Sequence, residues 1–401
     1  MLIAGEASGD LLASELVPAL REVLTEAPPV QTPDYQPLQA TLEPRWFGAG
    51  GPRMAAAGVE LAFDLTAHSV LGISDVLKNY LKFRRLFHRL FALALQRQPD
   101  AIICVDFSGF NRRFAHAIKT YARARHDWFH DWTPKVIQYV SPQVWASREG
   151  RAYAMARAYD LVLSIFPFEP AWYAKRVPAL RVEFVGNPLV DRFANRKPPP
   201  ATAARASSPL VLLLPGSRPG ELASHSPILG GALKILRESY PSLRARLVLP
   251  NEQLAQTLSA SGFPADVEVR TGGLADSLQE ADVALASTGT VTMECAFFGL
   301  PTVALYRTSW SNYQIAKQLV KVKYLAMPNL LANEELFPEF IQGAATPENI
   351  AGAALGLLRD DTRRQQIKQK LAQIVSSLGG PGANRRAAQA IARCLNSPWK
   401  R

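Results

Sequence analysis

The sequence predicts an α/β protein made of two doubly wound, parallel-sheet domains, and three observations carry that reading. Short apolar runs alternate with helix-period segments along most of the 401 residues, the pattern of parallel strands joined by crossover helices on both faces. A Pro/Ala/Ser-rich stretch at 195–209, "NRKPPPATAARASSP", breaks the alternation near the middle and suits a linker. The first strong apolar run of each half ends in a glycine-containing turn: "LIAGEASGD" at 2–10 and "LVLLLPGSRPGE" at 210–221.

In order, the strand candidates of the first half are 2–5, 101–106, 135–140, 161–166 and 182–186. Helical spacing of apolar residues marks 10–24 and 112–125 between them. The second half repeats the arrangement with strands at 210–216, 245–250, 266–270, 281–287 and 301–306. The expected domains are 1–194, a linker at 195–209, 210–365, and a helical tail at 366–401 that packs back on the first domain. Two segments, the Pro-rich 27–44 and 125–134, read as surface excursions. "GAGGPRMAAAG" at 48–58 lacks the glycine spacing of a dinucleotide fingerprint, so no such cofactor is expected.

Composition narrows the class. Hydrophobic content of 48% and charged content of 20% exclude a disordered or fibrous chain. Cys104, Cys295 and Cys394 are few, odd in number and far apart, which argues against a disulfide framework or zinc site. No apolar stretch reaches the ~18–20 residues that span a bilayer. No basic segment precedes the first apolar residues, so no signal peptide and a cytoplasmic location are expected. The net charge of +11 points to an anionic partner, whether nucleic acid, phosphorylated metabolite or acidic membrane.

In open parallel sheets ligands bind beyond the carboxyl ends of the strands, so chemistry is expected in the loops there. Gly5 and Gly9 bracket a strand-to-helix turn whose N–H groups suit an anion or a hydroxyl, and Glu6 and Asp10 favour the hydroxyl. An ordinary βα turn is the equal alternative. Asp106 ends the apolar run Ile102–Val105, where partial desolvation would raise its pKa and suit it to general base work. It could equally cap the next helix or bond to the Asn111 region. In "PGSRPGE", Gly216 admits close approach, Ser217 offers a hydroxyl and Arg218 a fork for phosphate oxygens. Ser287, Thr288, Gly289 and Thr290 form a small-residue helix start suited to a diphosphate, with Glu294 one turn on, within reach of a ribose diol. The last two loops, in the same domain, together point to a nucleotide-diphosphate site there.

Residues 69–98 are basic and apolar at helical spacing. Leu77, Tyr80, Leu81, Leu86, Phe87, Leu90 and Phe91 recur among Lys78, Lys82, Phe83, Arg84, Arg85 and Arg89. Such a segment either lies on an anionic membrane or packs its stripe on its own sheet.

Several of these motifs occur together in one family. "AGEASGD", "GAGGPRM", "LGISDVL", "VDFSGFN", "YVSPQVWA", "PFE", "FVGNPLVD", "LPGSRPGE", "STGTVTMECA" and "MPNLL" appear in order from residue 4 to 331. Together they make the chain resemble the lipid-A-disaccharide synthases. That resemblance implies a GT-B glycosyltransferase, two Rossmann-like domains facing a cleft, with no cofactor or metal. It implies transfer of 2,3-diacylglucosamine from its UDP derivative to the 6-hydroxyl of 2,3-diacylglucosamine 1-phosphate with inversion. Asp106 is then the general base and Arg218 steadies the departing diphosphate. Gly216, Ser217, Ser287–Thr290, Glu294 and Asn329 of "MPNLL" bind the UDP-sugar. Glu6, Ser8, Gly9, Asn111, Ser141 and Trp145 lie on the acceptor side. Lys78, Leu81, Lys82, Phe83, Arg84, Arg85, Phe87 and Arg89 serve the acyl chains or the inner face of the cytoplasmic membrane. Nucleic acid is not an expected partner, and the oligomeric state, a homo-oligomer included, stays open.

Three positions depart from the family pattern: Asn187 stands where "GHP" is usual, and Gln143 and Ser147 replace an expected serine and tryptophan. Two other readings remain: another UDP-sugar enzyme of the same fold, such as a UDP-GlcNAc epimerase, or a non-enzymatic binding module. Intact Asp106, Arg218 and Glu294 speak against the second.

Overall fold

The computed structural model describes residues 1–26, 44–68, 80–196 and 208–397. Most of the Pro-rich segment 27–44, the centre of the linker 195–209 and the start of the basic segment, with Leu77 and Lys78, lie outside the described residues. The chain divides into two compact units, Met1–Arg192 with Leu378–Arg401, and Phe193–Ser377.

Among the described residues, the first unit has a seven-stranded sheet: β1 (Leu2–Ala4), β2 (Phe47–Gly50), β3 (Glu60–Asp64), β4 (Ala101–Val105), β5 (Lys135–Tyr139), β6 (Leu161–Ser164) and β7 (Val182–Phe184). Every pairing is parallel, in the order β3-β2-β1-β4-β5-β6-β7. Helices α1 (Ala7–Glu26), α2 (Pro52–Ala56), α3 (Tyr80–Arg97), α4 (Ser108–Arg125), α5 (Arg151–Ala158), α6 (Glu169–Ala174) and α7 (Pro188–Phe193) connect them. The central strands are buried on both faces, as their unbroken apolar sequences require. One core packs Ile102 and Cys104 with Leu90, Phe114 and Ile118; the other packs Ile103 and Val105 with Leu16, Leu20 and Ile391.

The second unit repeats the design. Strands β8 (Leu210–Leu214), β9 (Arg244–Leu249), β10 (Glu268–Thr271), β11 (Val283–Ser287), β12 (Thr302–Tyr306) and β13 (Glu339–Ile341) form a parallel sheet in the order β10-β9-β8-β11-β12-β13. Its helices are α8 (Pro219–Ser239), α9 (Glu252–Ser259), α10 (Leu274–Glu280), α11 (Thr290–Phe297), α12 (Trp310–Leu319), α13 (Met327–Ala332), α14 (Pro347–Arg359) and α15 (Asp361–Ser377). The last helix, α16 (Ala383–Leu395), belongs to the first unit.

The tail at 366–401 is therefore not one body. Ile367, Leu371 and Ile374 bury α15 against α11, α13 and α14 of the second unit. Ala387, Ala388, Ile391 and Cys394 bury α16 against α1. Strands β2 and β3 fall where the sequence offered no strand signal, because "FGAG" is half glycine and β3 is mostly partly exposed.

The docking of α16 has a defined electrostatic anchor. Gly382 precedes the helix with φ +96° and no side chain of the helix caps its start. The carboxylate of Asp191 does so from α7, accepting from the N–H groups of Gly382 (2.5 Å), Ala383 (3.2 Å) and Asn384 (2.9 Å). Asp191→Ala should therefore cost about 2 kcal/mol, read as a lower urea midpoint, with Asp191→Asn recovering part of the loss. An unchanged midpoint in the alanine variant would show that the cap does not hold α16.

Candidate active site

Strand order reverses between β1 and β4 in the first sheet and between β8 and β11 in the second. Ala4 pairs with Val105, and Leu214 with Ala286. The turns that follow, at Gly5, Asp106, Pro215 and Ser287, thus leave neighbouring strand ends in pairs. These are the positions where doubly wound sheets bind ligands.

In the first unit the two turns touch. A Cβ at Gly5 would collide with the Phe107 ring, and one at Gly9 would lie 3.7 Å from the Asp106 Cβ. Asp106 and Phe107 both have left-handed backbones, at φ 48° and 44°. Val140, leaving β5, has φ 66°, a conformation β-branched residues rarely adopt. Two buried amides hold these turns. Asn111 Nδ2 donates to the carbonyls of Val105 (3.3 Å) and Asp106 (2.9 Å). Gln138 Nε2 donates to those of Asp106, Tyr139 and Val140. Asp106 is half-buried and is not the helix cap: Phe107 occupies that position without a side-chain cap. Asn111, fully buried, therefore positions the turn from behind rather than facing a ligand. Glu6 and Ser8 are half-buried in the opposing turn. Asp10 turns away to the start of α2, accepting from the N–H groups of Gly51, Arg53 and Met54.

The turn after β5 leads to a second buried cluster. Ser141 is 3% exposed and donates to the Tyr173 hydroxyl at 3.2 Å, so it supports the loop from inside. Half-buried Trp145 donates from Nε1 to Glu169 at 2.9 Å, and Ser164 donates to the same carboxyl. Glu169, the acid of "PFE", carries the cluster and was not singled out from the sequence; only its place in a shared motif hinted at it. Burial pushes its carboxyl up to about 7, with the bonds from Ser164, Trp145 and Ser141 opposing the rise.

In the second unit, Gly216 has φ +117° and a Cβ there would collide with Glu221. Glu221 folds back from the first turn of α8 to accept from Ser217 N–H at 3.0 Å, and its other oxygen lies 3.6 Å from Arg218. His225, also unforeseen, fixes this loop to β12. Its Nε2 accepts from Arg307 N–H (2.9 Å), so Nδ1 carries the proton donated to the Pro215 carbonyl (2.6 Å). Burial lowers its pKa and keeps the ring neutral. Ser287 is buried, Thr288 and Glu294 are half-buried, and Gly289 and Thr290 are exposed at the start of α11. No side chain caps that start and no acid lies in its first turn, which leaves it open to an anion.

Three expected ligand positions take other parts. Asn329 is fully buried, with Nδ2 donating to Phe337 O and Glu339 and Oδ1 accepting from Leu336 and Phe337 N–H. All four of its hydrogen-bonding positions are used, so it frames the loop before β13. Phe87 packs into the core against Phe91, Phe110 and Phe114. Arg89 donates to Ala62 O at 2.9 Å and lies over the Phe63 ring. Of the expected acyl or membrane residues on α3, Leu81, Lys82, Arg84, Arg85 and Arg89 are exposed and Phe83 is half-buried.

Glu169 makes stability pH-dependent with a definite sign. Its folded pKa of about 7 exceeds the ordinary 4.5, so the folded state binds more protons between those values. The stabilisation is complete below about 4.5 and is lost as pH rises through about 7. Urea midpoints at pH 5 and pH 8 should differ less in Glu169→Gln than in the parent, by up to about 3 kcal/mol. Equal differences in the two proteins would remove this assignment.

Comparison with known proteins agrees with the geometry. The lipid-A-disaccharide synthetase family model matches residues 1–394. A lipid-A-disaccharide synthase of Geobacter metallireducens is 35% identical, covering 98% of this chain and 97% of its own. That of Myxococcus xanthus is 34% identical, with 98% and 97% covered. Among solved structures, S. aureus MnaA with UDP superposes at a TM-score of 0.60 with 13% identity, covering 99% of this chain and 96% of that one. CalG4, the calicheamicin glycosyltransferase, gives 0.58 with 14% identity, covering 98% and 96%. Those two likenesses establish the GT-B fold, and the sequence matches establish the rest: the chain belongs to the lipid-A-disaccharide synthase family.

Proposed function

We propose that the chain carries out its family's glycosyl transfer with the lipid acceptor on the first unit and the UDP-sugar on the second. The donor is UDP-2,3-diacylglucosamine, the acceptor is 2,3-diacylglucosamine 1-phosphate, and the products are the β-1,6-linked disaccharide 1-phosphate and UDP. The observation that carries this reading is positional. The loops with suitable chemistry follow the strands on either side of each reversal, β1 and β4, then β8 and β11.

The Asp106 carboxylate takes the proton of the acceptor's 6-hydroxyl. The oxygen attacks the anomeric carbon on the face opposite UDP, the bond to the diphosphate breaks, and the configuration inverts. Negative charge develops on the departing diphosphate. Arg218, the turn at Gly216 and Ser217, and the start of α11 from Ser287 to Thr290 meet it. Glu294, one turn along α11, accepts from the ribose hydroxyls. Glu6, Ser8 and Gly9 border the acceptor beside Asp106, and Trp145, held by Glu169, flanks it.

Membrane contact belongs to the same reading, because both substrates carry acyl chains. Leu81, Lys82, Arg84 and Arg85 are exposed on α3, and each cation near an anionic surface contributes about 1 kcal/mol. Among the described residues no helix is long and apolar enough to cross a membrane.

Two measurements test this. Asp106→Asn should lower kcat by about 10²–10⁴-fold with UDP affinity unchanged, and Arg218→Ala by about 10²–10³-fold, read as UDP release with product mass. Turnover of the UDP-sugar without acceptor would replace glycosyl transfer by epimerase-type chemistry. Separately, sedimentation with anionic vesicles should weaken at high salt and in the Lys82, Arg84, Arg85 triple glutamine variant. Salt-independent sedimentation would rule out the electrostatic contact.

A further inference from the structure

Helices α4 and α5 pack against each other, and four arginines gather where they meet the loop after β5. Arg112 and Arg113 follow Asn111 in the second turn of α4, Arg148 lies in the loop, and Arg151 is the first residue of α5. Burial together with the charges of Arg148, Arg112 and Arg113 lowers the pKa of the Arg151 guanidinium, so these three lie within electrostatic reach of it. Arg148 is exposed and has a left-handed backbone, φ 60°.

Among the described residues, no neighbouring acid offsets this charge. Neither α4 nor α5 has an acid in its first turn. The acid of the loop itself, Glu149, faces Arg176 at 3.5 Å, and that arginine lies over the Trp172 ring. Several other arginines of the first unit do pair with carboxylates: Arg97 with Glu60, Arg192 with Glu15 and Arg385 with Glu22. Among the described residues, no carboxylate pairs with Arg112, Arg113, Arg148 or Arg151. Neighbouring guanidiniums without a carboxylate partner suit a phosphate, which accepts bidentate bonds from several at once.

We propose that Arg112, Arg113, Arg148 and Arg151 seat the phosphomonoester of the acceptor sugar, an inference that rests on the glycosyl transfer described above. The chemistry of the acceptor is consistent with the placement. Its attacking hydroxyl is on C6, carried by C5, and its phosphate is on C1; C5 and C1 flank the ring oxygen, so both groups lie along one edge of the sugar. One helix can then serve both groups: Asn111 of α4 holds the Asp106 turn, and the next two residues hold the phosphate. A fixed phosphate orients the sugar so that the 6-hydroxyl, rather than another, meets Asp106.

The test uses the full chain in neutral detergent micelles, with the acceptor supplied with and without its phosphate. In Arg148→Ala/Arg151→Ala the KM for the phosphorylated acceptor should rise about ten- to hundredfold, with kcat and the donor KM near those of the parent. The KM for the dephosphorylated acceptor should not move, and Arg151→Lys should fall between. An unchanged acceptor KM, or an equal rise for both acceptors, overturns the proposal. A second readout needs no activity: with saturating UDP occupying the donor-side loops, inorganic phosphate should raise the Tm of the parent and not that of the double variant. Parent protein that is stabilised by phosphate but releases no UDP would refute the transfer reading and keep the anion site. No stabilisation together with no UDP release overturns both. Sedimentation with anionic vesicles separates a lipid headgroup from the acceptor's phosphate. The double variant should sediment as the parent does, and a loss there with the acceptor KM unchanged would assign the cluster to the membrane and overturn the proposal.

Discussion

From β1 each sheet grows outward in one direction, through β2 and β3, and then restarts at β4 in the other. Helices that follow β1 and β4 consequently leave for opposite faces, and no crossover covers the ends of those two strands. The same happens at β8 and β11. A crevice at such a reversal follows from the handedness of parallel crossovers before any side chain is chosen. Its walls are backbone N–H groups and the first residues of two helices, which favours anions and hydroxyls there. The family chemistry uses what the topology leaves open.

Holding chemistry at that place requires turns that an unstrained chain would avoid. Asp106, Phe107 and Val140 lie in the left-handed region, where each non-glycine residue costs of order 1–3 kcal/mol. Gln138 and Asn111 repay part of that cost by donating to the carbonyls of the strained turns from fully buried positions. His225 plays the matching part in the second unit, joining Pro215 to Arg307. These three residues touch no substrate in the proposed reaction. They fix where Asp106 and Arg218 stand, and a displacement of about 1 Å at such groups costs about 10²-fold in rate.

Charge is divided between the frame and the site in a consistent way. Several buried or half-buried carboxylates accept from backbone amides: Asp10 on α2, Asp191 on α16, Glu339 on Leu325 and Ala326. Asp10 fills the helix start after β2 that superficially resembled a dinucleotide site, leaving an anion no donors there. Among the described residues, arginines without a carboxylate partner include Arg112, Arg113, Arg148 and Arg151 around α4 and α5, where a phosphate would supply the missing charge.

By itself the sequence determined the alternation of strands and helices, the class of each sheet, and the loops at Gly5, Asp106, Gly216 and Ser287. These are local signals: a buried parallel strand must be apolar throughout, and its terminal turn must carry glycine or a small polar residue. The strands β2, β3 and β13 gave no such signal, being short, glycine-rich or partly exposed. Only the tertiary structure decided what touches what. It moved Asn329, Ser141 and Asn111 from ligand to frame, packed Phe87 against the core and laid the exposed Arg89 along β3. It also brought Glu169, Gln138 and His225 to positions their neighbours in sequence do not announce. The reason is physical: hydrogen-bond satisfaction and burial depend on residues distant in the chain, and a side chain's role is set by those partners.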